Sequence, residues 1–362
     1  MFPYRTGIMP HMEFDIFHEI AMPPFLERTE SSAYADTLTE IELADQLGFR
    51  CAWLVEHHFM RQYSHCSKPE LVLAALSQRT QRIRLGMGIV PAPYHHPVHV
   101  AESIATLDIL SGGRIEVGLG RGFSPDEYKA FDVNMANSRS LTAEMLEILR
   151  ASFACKPVTF HGAHHRLDQV DILPHPLQTP HPPLWSAAVS PDSFAWVAQQ
   201  GLGMLVGPFK PWLMTKHDIK NYLGAWNGAI PPRIGMAVGM LCLPDGKRAR
   251  QLAKQSLTWF YRELYKTALP VLEKLYPSYE HFRELGRFRE FMKLGINLTL
   301  LENFGMAVVG TPAECIEQLR KFEAAGVTHI LCAVGAGAVK TEIVQESLHC
   351  IATEVMPAFR QE

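Results

Sequence analysis

One short apolar run broken by two glycines, Ile83-Arg84-Leu85-Gly86-Met87-Gly88-Ile89-Val90, constrains the fold of this chain more than any other stretch. With little polar alternation it reads as a strand buried on both faces. Glycine weakens a strand and packs nothing, so it is tolerated best where something flat lies against the backbone, and a planar ligand is the natural candidate. Pro91 and Pro93 break the strand, His95-His96-Pro97 opens a helical pattern running to about Leu110, and Ser111-Gly112-Gly113 suits a helix C-terminus. Residues 114–120 form a second buried strand, with Arg121-Gly122-Phe123 just past its carboxyl end. Strand, helix and strand at this spacing make a βαβ unit, which requires a parallel sheet.

The same unit recurs along the chain. Met12-Glu13-Phe14-Asp15-Ile16-Phe17 reads as a first strand after an irregular extension over 1–11, and 33–47 carries apolar residues at helical spacing before Gly48 and a strand over 51–55. Glu56-His57-His58-Phe59 follows, then a helix from about Pro69 to Arg79. Beyond Arg121 the pattern predicts a helix over 138–153, a hairpin and long loop over 157–183, and a strand over 184–189. Ser190-Pro191-Asp192 then starts a helix with an N-cap serine. Strands over 203–206, 234–243 and 329–334 alternate with helices over 213–225, 247–265, 311–326 and a last one to about Met356. The stretch 267–305 has no clean period and reads as an insertion or lid. Eight strands alternating with helices, without a dividing linker, are the arithmetic of a (β/α)8 TIM barrel in one domain over 1–362; a doubly wound sheet is the alternative. In a barrel, His57, Gly88, Arg121 and Ser190 would line one pocket at the carboxyl ends of the strands.

Composition narrows the partners. A formal net charge of −3 gives no electrostatic footprint for nucleic acid or an anionic membrane. Seven scattered cysteines without a C-x-x-C suggest neither a disulfide framework nor a zinc site, and favour a reducing cytoplasm. No apolar run reaches the roughly 18 residues of a membrane span, and no signal-peptide core precedes the first strand. A metal reading of His57, His58, His95 and His96 lacks an H-x-H in the first strand, where metal-dependent barrel hydrolases carry it, so no metal is expected.

Taken in order, Glu56-His57-His58-Phe59, His96-Pro97-Val98, Gly112-Gly113-Arg114, Gly118 to Gly122 with Arg121, and Gln178-x-Pro180-x-Pro182-Pro183 followed by a strand and Ser190-Pro191 resemble the luciferase-like monooxygenases. These are barrel enzymes related to the α subunit of bacterial luciferase. The likeness runs from about Met12 to Val206 and more weakly from Gly310 to Met356. It implies a reduced flavin, usually FMN, against the carboxyl ends of the strands, which reacts with O2 to a C4a-peroxyflavin that oxygenates a small organic substrate. It also implies a separate flavin reductase as supplier and a homodimer. By the same resemblance Arg121, Arg139, Ser190 and Ser193 fall where the family grips the phosphate, and Met87, Gly88 and Ile89 where the backbone supports the flavin ring. Phe123 and Ala187 are further candidates for cofactor binding, His57 falls where the family has its catalytic histidine, and the Gly88–Ile89 bond where it has a non-proline cis peptide. The chain departs from luciferase at Gly120 and Val189, where the light-emitting subunit has cysteine and glutamate.

The residues by themselves leave alternatives. Arg121 past a strand end can hold a phosphate with a bidentate fork while Ser190 and the helix N-terminus add donors, or it can form a structural salt bridge with Ser190 only a cap. His57 can move a proton near neutrality, or be a core histidine bonded to backbone. Glu56 and His57 point to opposite sides of a strand, so one of them faces the interior. Two other functions remain alongside FMN-dependent monooxygenation: hydride transfer with the deazaflavin F420 in the same superfamily, and flavin binding without turnover.

Overall fold

The computed structural model of this chain describes residues 11–228, 230–275 and 295–360. In chain order the elements are β1 (Glu13–His18), α1 (Glu30–Leu47), β2 (Cys51–Leu54), α2 (Pro69–Ser77), β3 (Arg84–Pro91), α3 (Pro97–Ser111), β4 (Ile115–Gly120), α4 (Pro125–Ala130) and α5 (Ser138–Phe153). Then come β5 (Val158–His161), β6 (Arg166–Val170), β7 (Leu184–Ala187), α6 (Pro191–Gln199), β8 (Gly203–Val206), α7 (Trp212–Ala225), β9 (Ile234–Cys242) and α8 (Gly246–Leu275). The last are α9 (Leu298–Asn303), β10 (Ala307–Gly310), α10 (Pro312–Glu323), β11 (His329–Val334) and α11 (Thr341–Cys350).

Eight parallel strands close a barrel in the order β1–β2–β3–β4–β7–β8–β9–β11 and back to β1, so the expected TIM barrel is the observed fold. Two details differ. The four-residue β10 was not expected: it pairs with the far half of β9, from Ala307 opposite Gly239 to Gly310 opposite Cys242, beyond the point where β8 has ended. The helix expected over 247–265 continues to Leu275. Of the stretch read as a lid, 276–294 lies outside the described residues, as does 1–10 of the expected N-terminal extension. β5 and β6 form the expected antiparallel hairpin over part of 157–183. Among the described residues no helix is long and apolar enough to cross a membrane.

Local chemistry explains the boundaries. The Thr29 side chain accepts the Ser32 N–H and the Ser32 side chain returns to Thr29, a capping box at the start of α1, and Gly48 ends that helix at φ 84°, a left-handed turn cheap only for glycine. Every second strand residue points into the barrel. Thus Asp15 and Phe17 of β1, Trp53 of β2, Glu116 of β4 and Trp185 of β7 meet inside, with all five screened from solvent save part of Phe17. The two indoles meet edge to face, centroids 5.6 Å apart. Their rings need space on the neighbouring strands, and glycine provides it. Trp53 stands opposite Gly86 in register and Trp185 opposite Gly203; a Cβ at either glycine would sit 2.4 Å or 2.3 Å from the indole.

The flat group lying against Gly86 is therefore the Trp53 indole rather than a ligand, which corrects the reading of that glycine from sequence. Gly86→Val is expected to cost about 1–3 kcal/mol by overpacking, read as a lower urea midpoint together with a changed near-ultraviolet tryptophan signal; an unchanged midpoint would show that the indole yields freely. Gly88, two residues on, is the glycine that reaches the open end of the barrel.

Beneath the indoles lies a charged layer. Arg50 donates to Asp15 (2.8 and 2.5 Å) and to Glu116 (2.5 Å), and Arg84 also donates to Glu116 (2.6 Å). The Trp53 and Trp185 N–H groups donate to Asp15 (2.7 Å) and Glu116 (2.6 Å). A buried charge needs both a counter-charge and its remaining lone pairs filled, and this layer supplies both. Burial lifts the Asp15 carboxyl to about 6 even with Arg50 beside it. The barrel is thus sealed at one end, and function is left to the other.

Candidate active site

Above the indoles, Phe17, Ile89, Leu205, Ala237 and Leu331 form an apolar floor. Over it opens a cleft of about 1280 Å³, mouth included, at the carboxyl ends of the strands. His57, Gly88, Ile89, Arg121, Phe123, Ala187 and Ser193 all border it, so most of the residues singled out in the sequence converge there. The Gly88–Ile89 peptide is cis, as the resemblance implied. A Cβ at Gly120 would sit 2.5 Å from Ile89 and one at Gly118 2.6 Å from the Met87 carbonyl, so these two glycines make room for the end of β3.

Three expected residues stand elsewhere. Met87 is buried in the core with 3% of its surface exposed and does not border the cleft. Ser190 is likewise buried and lies behind Ser193 rather than on the cleft wall. It occupies the residue before α6, but its hydroxyl meets that of Ser193 (2.6 Å) instead of capping an N–H. Arg139, on α5, borders a second hollow of about 520 Å³ together with Arg121, Ala187, Asp192 and Ser193. Arg121, Ala187 and Ser193 border both spaces and so join them.

Arg139 reaches Ser190 Oγ at 3.5 Å, and neither it nor Arg121 forms an ion pair among the described residues. Burial first, and then the Arg139 cation, hold the Arg121 guanidinium below its ordinary value. Two neighbouring guanidiniums next to the first turn of α6 suit a doubly charged anion, because such an anion relieves their mutual repulsion and accepts their donors. The cleft beside them is mostly apolar, as a site for a flat aromatic ring requires. On these grounds the residues present fit a phosphate-bearing flavin. Among the described residues no three His, Cys, Asp or Glu side chains are placed to share a metal ion.

The Glu56–His57 alternation resolves cleanly. Glu56 accepts from His58 Nε2 (3.0 Å) and His95 Nε2 (2.7 Å), while the His57 ring enters the cleft between Tyr63 and Phe123. Two acids the sequence reading did not select flank that ring. Glu127 Oε1 stands 3.5 Å from Nδ1, an ion-pair separation at which no hydrogen bond is formed, and Glu19 Oε2 stands 3.9 Å from Nε2. Nδ1 is enclosed, which leaves Nε2 as the nitrogen facing the cleft. Burial opposes the imidazolium, yet Glu127 and Glu19 together raise the His57 pKa above its ordinary value. Each acid had a signal in the sequence. Glu19 continues the inward series Asp15, Phe17 past the end of β1, and Glu127 follows Ser124-Pro125, with the Ser124 hydroxyl accepting the Glu127 N–H at the start of α4.

Comparisons with known proteins place the whole chain among similar proteins. The family model described as luciferase-like monooxygenase matches residues 12–329. The chain is similar to the alkanal monooxygenase alpha chain of Photorhabdus luminescens, 25% identical over 97% of this chain and 98% of that protein. It is also similar to the oxygenase component of a flavin-dependent trigonelline monooxygenase from Acinetobacter baylyi, 26% identical over 92% of each. Among solved structures, a monooxygenase from Streptomyces bottropensis superposes with a TM-score of 0.80 at 26% identity, covering 96% of this chain and all of that one.

Proposed function

Starting from the luciferase-like, flavin-dependent monooxygenase family, to which this chain belongs, we propose that it is an oxygenase that takes up reduced FMN from a separate flavin reductase and uses O2 to oxygenate a small organic substrate. The observation that carries the FMN assignment is the hollow with two guanidiniums that form no ion pair among the described residues, opening directly into an apolar cleft that holds a partly buried histidine. Bound there, the reduced flavin would supply the electrons that make O2 reactive. Arg121 and Arg139 would hold its phosphate, with Ser193 as a further donor, and Ser190 meets both Ser193 and Arg139. Gly88, Ile89, Phe123 and Ala187 line the part of the cleft that would receive the ring. Phe209 and Leu264, with the other apolar walls, keep water from the reacting face. His57 holds a proton at Nε2, ready to pass it to the developing product or take one back.

The unpaired cysteines fit a cytoplasmic enzyme, and a homodimer of one-domain barrels is the assembly we propose. The test is to mix the protein anaerobically with photoreduced FMN, riboflavin or reduced F420 and then admit O2. Tight FMN binding with delayed flavin oxidation supports the proposal. F420 binding in its place would make the protein a hydride-transfer enzyme, and FMN binding with unaltered oxidation a flavin carrier.

Arg121→Ala is expected to weaken reduced FMN binding by roughly ten- to a hundredfold, the worth of about 1.5–3 kcal/mol for a charged hydrogen bond, while barely changing riboflavin binding. Fluorescence titration of the two flavins checks this. Equal losses for both would remove Arg121 from the phosphate site.

A further inference from the structure

Glu19 borders the cleft without a part in holding the flavin, yet the fold goes to some length to bring its carboxyl there. It is the third inward residue of the series Asp15, Phe17, Glu19, one step beyond the end of β1. Immediately after it, Ile20 adopts φ 52°. A β-branched residue in the left-handed region is a genuine outlier, and such outliers persist where surrounding structure over-determines them. Here the surroundings are the loop after β2: Ser64 Oγ donates to the Glu19 carbonyl (2.7 Å), the His65 N–H donates to the Ile20 carbonyl (3.1 Å) and the Met22 N–H donates to the Gln62 carbonyl (2.8 Å).

So held, the Glu19 carboxyl is buried with 5% of its surface exposed. Oε1 accepts the Tyr63 hydroxyl at 2.7 Å. Oε2 has no hydrogen-bond partner among the described residues, and His57 Nε2 lies 3.9 Å from it. An enclosed carboxylate oxygen without a donor is costly unless the group keeps a proton or finds one nearby. The titratable groups facing Glu19 are His57, Tyr63, Glu127 and the buried thiol of Cys66. Of these, His57 is the side chain whose ordinary chemistry exchanges a proton near neutral pH.

We propose that Glu19 is a positioning residue for His57, sharing one proton with the imidazole Nε2 across this gap and returning it after each transfer. The proposal rests on His57 being the proton-transfer group of the oxygenase described above. In the forward step the imidazolium passes its Nε2 proton to the reactant, which leaves a neutral imidazole beside the Glu19 carboxylate; when the cleft is open, solvent returns one proton to the pair and Glu19 hands it to Nε2. Burial lifts the Glu19 pKa, so its carboxylate takes up a proton from solvent more readily than an ordinary glutamate does.

The test needs neither substrate nor flavin. The protein is labelled with ¹⁵N-histidine, the His57 signal is assigned from its absence in His57→Ala, and its titration is followed from pH 5 to 9. Glu19→Gln keeps the size of the side chain and an acceptor for Tyr63 while removing the proton. It is expected to lower the His57 midpoint by about one unit or more, as loss of an ionisable neighbour within reach does, and to reduce two coupled steps to one. Glu19→Asp should restore part of the shift. An unchanged midpoint in Glu19→Gln, with the other histidine signals undisturbed, overturns the proposal. Reduced FMN binding is measured separately on the unaltered protein: failure there overturns the flavin reading while leaving the His57 titration to decide this one.

Discussion

His57→Ala is expected to lower substrate oxygenation by about 10²- to 10⁴-fold, the usual contribution of a positioned acid or base, while reduced flavin binds within a few-fold of its original affinity. The asymmetry follows from where the ring sits. His57 borders the cleft but not the hollow that carries Arg139, so its loss leaves the anion-binding groups untouched. Because flanking acids raise its pKa, the imidazole stays protonated to higher pH than a free histidine, and a step needing that acid fails on the alkaline side as pH passes the raised value. The measurement is product formed and peroxide released per O2 consumed, on the substrate selected by a screen of aldehydes, ketones and sulfonates. Peroxide should rise as product falls. Unchanged coupling of O2 to product would return His57 to the role of a core histidine.

The second large effect concerns the sealed end of the barrel. Arg50→Met replaces the cation that bonds both Asp15 and Glu116 with an apolar group, and breaking a buried pair from one side costs about 3–5 kcal/mol. The cost depends on pH in a direction that can be worked out. Asp15 already has a carboxyl raised to about 6 by burial, and without Arg50 it rises further. An acid whose folded pKa lies above its unfolded one penalises folding above the folded value and ceases to do so as pH falls below the unfolded one. The variant should therefore be least stable relative to the original chain near pH 8 and recover part of the loss near pH 5. Urea midpoints at the two pH values check this, and a deficit that grows on acidification would contradict the assigned charge state of Asp15. Glu116 keeps Arg84, so recovery is expected through Asp15 and not through Glu116.

Much of this molecule was legible before any coordinates. Helix α5 spans 138–153, as its apolar spacing and flanking residues require, and β8 spans 203–206. Such elements are written locally, in side-chain period and in terminators. The four residues of β10 were not found because a strand that short carries too little pattern, and its pairing with β9 is made by a distant partner. Gly86 was read correctly as a contact position but assigned the wrong neighbour. A glycine records that something lies close, and only the register of β2 against β3 says that the close group is Trp53.

The site divides in the same way. By itself the sequence determined the parallel barrel and the strand ends at which chemistry gathers; of the four residues it sets around one pocket, His57, Gly88 and Arg121 border the cleft and Ser190 does not. The sequence could not determine which neighbours set the charge of His57. Glu19 and Glu127 lie 38 and 70 residues from it, on either side in the chain, and come within 4 Å only when the loop after β1 and helix α4 meet the loop after β2. Backbone pattern is a property of neighbours in sequence, whereas electrostatics depends on separation in space. The tertiary structure alone therefore decided that the histidine stands between two buried acids and that one of them faces its reactive nitrogen.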